Sequence, residues 1–166
     1  MRPPIYWLIT DTHLFHDRMV SFCGRPDNFS DIIIKNLKYY ISDQDILIHL
    51  GDVIFHKYSE LGNIMSSIKG RKILTIGNHD RKSPIWYMNN GGFAFASKMF
   101  QHNDILFSHK PIHPLPSGVR LNIHGHWHNT RHHPIPEFYN TTQYKLLAIE
   151  ETNYMPVKLS DFISGA

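Results

Sequence analysis

Thiols are nearly absent from this sequence: Cys23 stands alone among 166 residues, which excludes an intramolecular disulfide and any thiolate-rich zinc module. A lone free thiol fits a reducing compartment. Long apolar runs are missing too. None approaches the roughly 20 residues that span a bilayer, and the opening Met-Arg-Pro-Pro runs straight into a strand-like stretch without the features of a signal peptide. A cytoplasmic protein with no membrane partner is expected. Nor is there a block of Lys and Arg: the net charge of +3 and pI of about 9.0 come from scattered residues, so strong nucleic-acid binding is not expected. Internal repeats, low-complexity tracts and linkers are also lacking, and residues 1–166 are expected to form one domain. What is present is an ordinary globular composition, 42% hydrophobic and 19% charged, able to bury a sizeable core.

Apolar spacing divides the chain. Ile5 to Thr10 reads as a buried strand followed by a long loop, and Asp45 to Leu50 and Lys72 to Ile76 read as two more strands. Between them, Ile33, Ile34, Leu37, Tyr40 and Ile41 recur at helical spacing behind Ser30 as cap, and Leu61, Ile64, Met65 and Ile68 mark a second helix closed by Lys69-Gly70. This order argues for parallel strands with right-handed crossovers. After a short helix at Ile85 to Asn89, Phe93 to Phe100, Asp104 to Ser108, Leu121 to His124 and Tyr144 to Ile149 all read as strands without helices between them. Pro-rich loops at 110–120 and 129–143 are expected to rim a site, and Val157 to Ile163 to supply a short strand and a final helical turn. The expected fold is α/β, a four-layer α/β/β/α sandwich of two mixed sheets flanked by helices.

Five segments in series carry metal-ligand chemistry: Asp11-Thr12-His13, Gly51-Asp52, Gly77-Asn78-His79-Asp80, His109, and His124-Gly125-His126-Trp127-His128. Each follows a short apolar run, where an open α/β sheet leaves its ligand-binding loops. Taken singly, most are as easily a turn or a structural histidine. Together they offer imidazoles, carboxylates and a carboxamide, a donor set for two divalent ions. In Asp11-x-His13 an extended or gently turning backbone would aim both side chains at one point. Asp52 has two oxygens with which to bridge ions, Asn78 ligates without adding charge, and His79 beside it stays free for acid–base work. The two-residue spacing of His126 and His128 lets both face one side. His124 shares that parity but belongs to the strand and, with His16 and His49, is expected to support the ligands rather than join them. His132 and His133, adjacent in a Pro-rich loop, read as surface residues.

Two dications bring four positive charges against two negative ones on Asp11 and Asp52, so the centre keeps about +2 and should attract an anion such as a phosphate ester. Mixed N/O donors suit Mn²⁺, Fe²⁺, Zn²⁺, Co²⁺ and Ni²⁺ alike, with availability deciding among them, and Mn²⁺ is the ion expected.

The segments, in this order, resemble the calcineurin-like metallophosphoesterases, whose signature runs D-x-H, G-D, G-N-H-D/E, H, G-H-x-H. The stretch from Asp11 to Gly24-Arg25-Pro26 looks like the small bacterial and phage-type branch. The resemblance implies the same α/β/β/α fold. It also implies one ion on Asp11, His13, Asp52 and His128 and another on Asp52, Asn78, His109 and His126. His79 would meet the phosphate or protonate the leaving oxygen, with Asp80 orienting its ring. Arg25 and Arg81, the nearest basic residues, are candidates for phosphate contact, with a solvated role equally open. The expected function is a binuclear metal-dependent phosphoesterase working by in-line attack of a metal-bridging hydroxide. Phosphodiesters are preferred because only short loops are available to enclose a substrate. The alternatives are a phosphomonoesterase acting on a nucleotide or other small phosphate, and a non-catalytic scaffold of the same fold.

Overall fold

In the first strand, β1 (Tyr6–Ile9), Trp7 and Ile9 enter one core and Leu8 the other, as the two-residue period of a strand buried on both faces dictates. The computed structural model describes residues 2–129 and 133–165. β1 lies in a five-stranded sheet with β2 (Ile46–His49), β3 (Arg71–Thr75), β4 (Phe95–Ser97) and β9 (Val157–Lys158), in the order β4-β3-β2-β1-β9. The first four are parallel and β9 antiparallel. The second sheet, β5 (Met99–His102), β6 (Ile105–Ser108), β7 (Leu121–His124) and β8 (Tyr144–Leu146), is also mixed, with only β5 antiparallel.

Two helices cover the free face of the first sheet. α2 (Phe29–Tyr40) buries Ile33 and Leu37, four residues apart on one stripe, and α3 (Tyr58–Ser66) buries Leu61 and Met65 in the same way. Truncating Leu37 to Ala should cost about 2–5 kcal/mol. Between the sheets, Leu8, Ile46 and Ile48 meet Ile105, Phe107, Leu121 and Ile123. The far face of the second sheet is packed by the Pro-rich loops: Asn122 accepts the N–H of Ile112, and the hydroxyl of Tyr139 bonds His124. α5 (Leu159–Ser164) closes the edge of the sandwich, where Lys145 of β8 donates to the carbonyls of Phe162 and Ile163.

Local details depart from the reading of the sequence. The long loop after β1 holds a short helix, α1 (Arg18–Cys23), ended by Gly24 at φ 69°. α2 begins at Phe29, after a turn closed by Phe29 N–H on Pro26 O, so Ser30 is a buried helical residue whose hydroxyl accepts the N–H of Phe15 instead of capping. The run Phe93 to Phe100 breaks at Lys98 into β4 and β5, which belong to different sheets. Phe93 and Ala96 before the break enter one core, and Phe100 after it packs on the other. The last expected strand stops at Leu146, and Ile149 starts a 3₁₀ helix, Ile149–Thr152. The helix α4 (Pro84–Asn89) is capped by Ser83, whose hydroxyl accepts the N–H of Trp86.

Candidate metal centre

The ligand loops leave the carboxyl ends of β1, β2, β3, β6 and β7 and meet above them. The backbone there is not extended. Asp11, His13, Asp52, His126 and His128 all have positive φ, between 43° and 73°, a conformation that non-glycine residues adopt at a cost and that gathers at functional loops. Glycines allow the loops to touch. A Cβ on Gly77 would strike the carboxylate and N–H of Asp52, and one on Gly125 would strike Thr10 Oγ1 and Asp11 Oδ2. His126 and His128 are two apart on a left-handed turn, not on a strand, and they point into different ligand groups. The parity reading therefore fails in its geometry, although both residues join candidate ligand groups.

The first group gathers Asp11, His13 and His128. Asp11 Oδ1 lies 3.6 Å from His128 Nε2 and 3.9 Å from His13 Nε2, and His13 Nε2 lies 3.5 Å from Asp52 Oδ2. These separations are too long for good hydrogen bonds and leave room for an ion, whose ligands at about 2.1 Å from the centre stand roughly 3–3.5 Å apart. Asp11 Oδ1 is buried and has no hydrogen-bond partner, while Oδ2 accepts the N–H of His126 at 2.9 Å. An unpaired carboxylate oxygen in such a place fits a cation.

The second group gathers Asp52, His109 and His126, with Asn78 beside them. His109 Nε2 lies 3.2 Å from Asp52 Oδ2, 2.9 Å from Asn78 Oδ1 and 3.2 Å from His126 Nδ1. One ring nitrogen cannot serve three partners by hydrogen bonding, but four atoms around one ion can take this arrangement. Asp52 connects the groups through a single oxygen, Oδ2. Its Oδ1 is engaged by the N–H of His79 at 2.8 Å. Oδ2 is thus the Asp52 oxygen that faces both groups.

Charge is balanced tightly. Burial pushes His13 down to about 2 and His126 down to about 3, so both rings are neutral and ready to ligate. Burial also opposes charge on His109, but its hydrogen bond to Asp52 and the charges of Asp11 and Asp52 lift it to about 9. For His128, burial is outweighed by hydrogen bonds to Cys23 and Glu150 and by the charges of Asp11 and Glu150, which raise it to about 10. Burial pushes Asp52 up, yet His109 and His13 hold it well below the ordinary carboxylate range. Ions entering these groups must displace the protons on His109 and His128.

Two expectations about neighbouring residues are corrected. Arg25 does not face a substrate: its side chain is fully buried, donating to the carbonyls of Asp11 and Thr12 and to Glu150. Asp80 does not orient the His79 ring, because its carboxylate accepts the backbone N–H groups of Asp52, Val53 and Gly77 and the Tyr87 hydroxyl. His133 is exposed, as read from the sequence, with its ring 4.8 Å from that of His126, whereas His132 lies outside the described residues. The exposed His79 ring stands 5.4 Å from His13. His49 is buried between Thr12 and the N–H of Gly51, and His124 is held by Gly125 O and Tyr139. His16 stacks on Phe55 at 3.6 Å, and the guanidinium of Arg81 covers the same ring at 5.7 Å. A notch of about 280 Å³ opens beside the centre, lined by His13, His16, Arg18, Phe22, His79 and His128. Arg18, not Arg25, is the basic residue on it.

The model of the calcineurin-like phosphoesterases matches residues 6–160. This chain belongs to that family. An uncharacterized protein of Methanocaldococcus jannaschii, MJ1445, is 28% identical over 165 residues, covering 92% of this chain and 86% of that protein. A crystal structure of a protein of unknown function from Aquifex aeolicus, AQ665, superposes with a TM-score of 0.78 at 25% identity, covering 98% of this chain and 100% of that one. Calcineurin-like phosphoesterases typically bind two divalent metals, and the two groups around Asp52 are where this chain would hold them. Sequence reasoning overlooked Glu150, whose Oε1 accepts from His128 Nδ1 at 3.1 Å and from Arg25. The available signal was its place directly after the apolar run Leu146-Leu147-Ala148-Ile149, as Asp11 and Asp52 follow theirs.

Proposed function

We propose that this calcineurin-like phosphoesterase is a binuclear enzyme that hydrolyses phosphodiesters in preference to monoesters, most readily with Mn²⁺. Asp11, His13, Asp52 and His128 hold one ion, and Asp52, Asn78, His109 and His126 the other. The observation that carries this reading is Asp52 Oδ2, which faces His13 Nε2 at 3.5 Å on one side and His109 Nε2 at 3.2 Å on the other. When bound, the ions supply Lewis-acid charge that receives phosphate oxygens and makes water nucleophilic near neutral pH.

The chain's own residues do the rest. Asn78 and His79 are exposed beside the centre, so both can reach a phosphate placed there. Asp52 anchors the His79 main chain, which holds the ring near His13, where it can give a proton to the departing oxygen. Arg18 and Arg81 offer positive charge at the rim. Arg25 adds none, since Glu150 neutralises it below the centre at 2.7 Å. Among the described residues no buried cation is aimed at the substrate beside the ions themselves, which favours the singly charged diester over a monoester dianion. The open notch leaves room for groups on both sides of phosphorus.

The decisive assay compares bis-p-nitrophenyl phosphate with p-nitrophenyl phosphate, using protein stripped by chelator and reloaded with Mn²⁺, Zn²⁺, Co²⁺ or Ni²⁺. Faster metal-dependent diester turnover, greatest with Mn²⁺, is expected. Faster monoester turnover would replace the diesterase reading with a phosphomonoesterase. Absence of hydrolysis by the loaded protein would favour a scaffold.

A further inference from the structure

Arg25 and Glu150, 125 positions apart, form a buried link that runs under only one of the two ligand groups. Glu150 sits in the 3₁₀ helix after β8, and its Oε1 accepts three donors: His128 Nδ1 at 3.1 Å, Arg25 Nε at 3.0 Å and an Arg25 terminal nitrogen at 2.7 Å. The same guanidinium donates to Thr12 O at 2.9 Å and Asp11 O at 2.7 Å. The loop that carries Asp11 and His13 in left-handed backbone is therefore tied to the residue that holds His128. The second group is built differently. There His109 Nδ1 meets the neutral carbonyl of Leu50 at 2.8 Å. Cys23 also comes within 4.8 Å of the ligand atoms of His128 and Glu150. In that trio Arg25 already engages Oε1 of the carboxylate, while Oε2 is buried without a hydrogen-bond partner.

We infer that Glu150, braced by Arg25, is a positioning residue that makes the Asp11–His13–His128 site the tighter and first-filled of the two. The inference rests on the two-ion reading above. A carboxylate on Nδ1 fixes His128 as the tautomer with its lone pair on Nε2, the nitrogen that faces Asp11 Oδ1, and makes it a stronger donor than an imidazole held by a carbonyl. Arg25 keeps the carboxylate from turning away and holds the first loop at the height where its two side chains converge.

The test is calorimetric titration of chelator-stripped protein with Mn²⁺, with Glu150→Gln as the probe. The wild type should bind two ions in separable steps. In a His109→Ala background, which leaves the Asp11–His13–His128 site, Glu150→Gln should weaken binding by about 10- to 100-fold. In a His13→Ala background, which leaves the other site, it should change affinity by less than about two-fold, an effect too small for a supporting partner. Should Glu150→Gln leave Arg25 unpaired and unfold the chain, the double variant Glu150→Gln/Arg25→Met removes both charges together and is compared in the same backgrounds. Equal loss in both backgrounds, or no loss in the first, overturns the positioning role and leaves the two-ion reading intact. Binding of fewer than two ions by the wild type would overturn the two-ion reading and this inference with it.

Discussion

Asp80 Oδ2 accepts the backbone N–H of Asp52 at 2.8 Å, and the same oxygen accepts the N–H of Gly77 at 2.7 Å. A third amide, of Val53, reaches the other oxygen at 3.0 Å. One buried carboxylate thus fixes the loop after β2 against the loop after β3, and with them Asp52 and Asn78. Burial and the Asp52 charge push its pKa up, the opposite of what its three amide donors do alone, so its ionisation is opposed by the ligand it positions.

Replacing Asp80 with Asn sets an NH₂ where an acceptor is required. The loss should be about 2–4 kcal/mol in urea unfolding of the metal-free protein, together with weaker ion binding. A loss under about 0.5 kcal/mol, the range of an inconsequential surface change, would show that these amides find other partners.

Gly125→Ala places a methyl group against Thr10 Oγ1 and Asp11 Oδ2, and Gly77→Ala places one in the Asp52 carboxylate. Each should abolish ion binding in one group before it unfolds the chain. Equilibrium dialysis with Mn²⁺ and a far-UV spectrum of the same sample separate the two effects. Retention of both ions would mean the loops can part by the width of a methyl group.

His79→Ala should keep both ions and lose activity by about 10²–10⁴-fold on esters with a poor alcohol leaving group. On a nitrophenyl ester the loss should be smaller, because nitrophenolate departs without a proton. An equal loss on both would assign His79 to binding phosphate rather than to proton donation.

His49 is fully buried between Thr12 and Gly51, and burial lowers its pKa to about 3 from an unfolded value of 6.5. The unfolded chain therefore takes up a proton that the folded chain refuses. The contribution is fully present above pH 6.5 and is lost as pH falls from 6.5 toward 3, with a limiting slope of about 1.4 kcal/mol per pH unit. Urea titrations at pH 7.5, 6 and 5 should show this decline, and His49→Gln should make it shallower by its own share, since His13, His124 and His126 are also held neutral by burial. An unchanged slope in that variant would place the lost proton elsewhere.

The strands and the main helices were legible because burial leaves its pattern in a single sequence: Ile46-Leu47-Ile48-His49 is a short β-branched apolar run of the kind a doubly buried strand needs, and Ile33 and Leu37 fall on one helical face. Boundaries were less so. Ser30 has the chemistry of a cap, but Pro26 starts the turn earlier and Phe15 takes the hydroxyl. The break at Lys98 was hard to see because apolar residues stand on both sides of it, Phe93 and Ala96 in one core and Phe100 against the other.

For the centre, the residue types and their order alone named the candidate ligands, since carboxylate, carboxamide and imidazole at strand ends have few other uses in such a series. Which atoms converge was decided by tertiary structure. The left-handed turns at Asp11, His13, Asp52, His126 and His128 arise where loops from different strands press on one another, and no local pattern encodes them. The fates of Arg25 and Asp80 were settled in the same way. Both are polar residues near a motif, and only long-range contacts, to Glu150 in one case and to the amides of Asp52 and Val53 in the other, make them buried braces rather than groups that meet substrate. Ligand chemistry is a property of side chains and is written in sequence; burial and hydrogen-bond partners are properties of packing and appear only once the chain has folded.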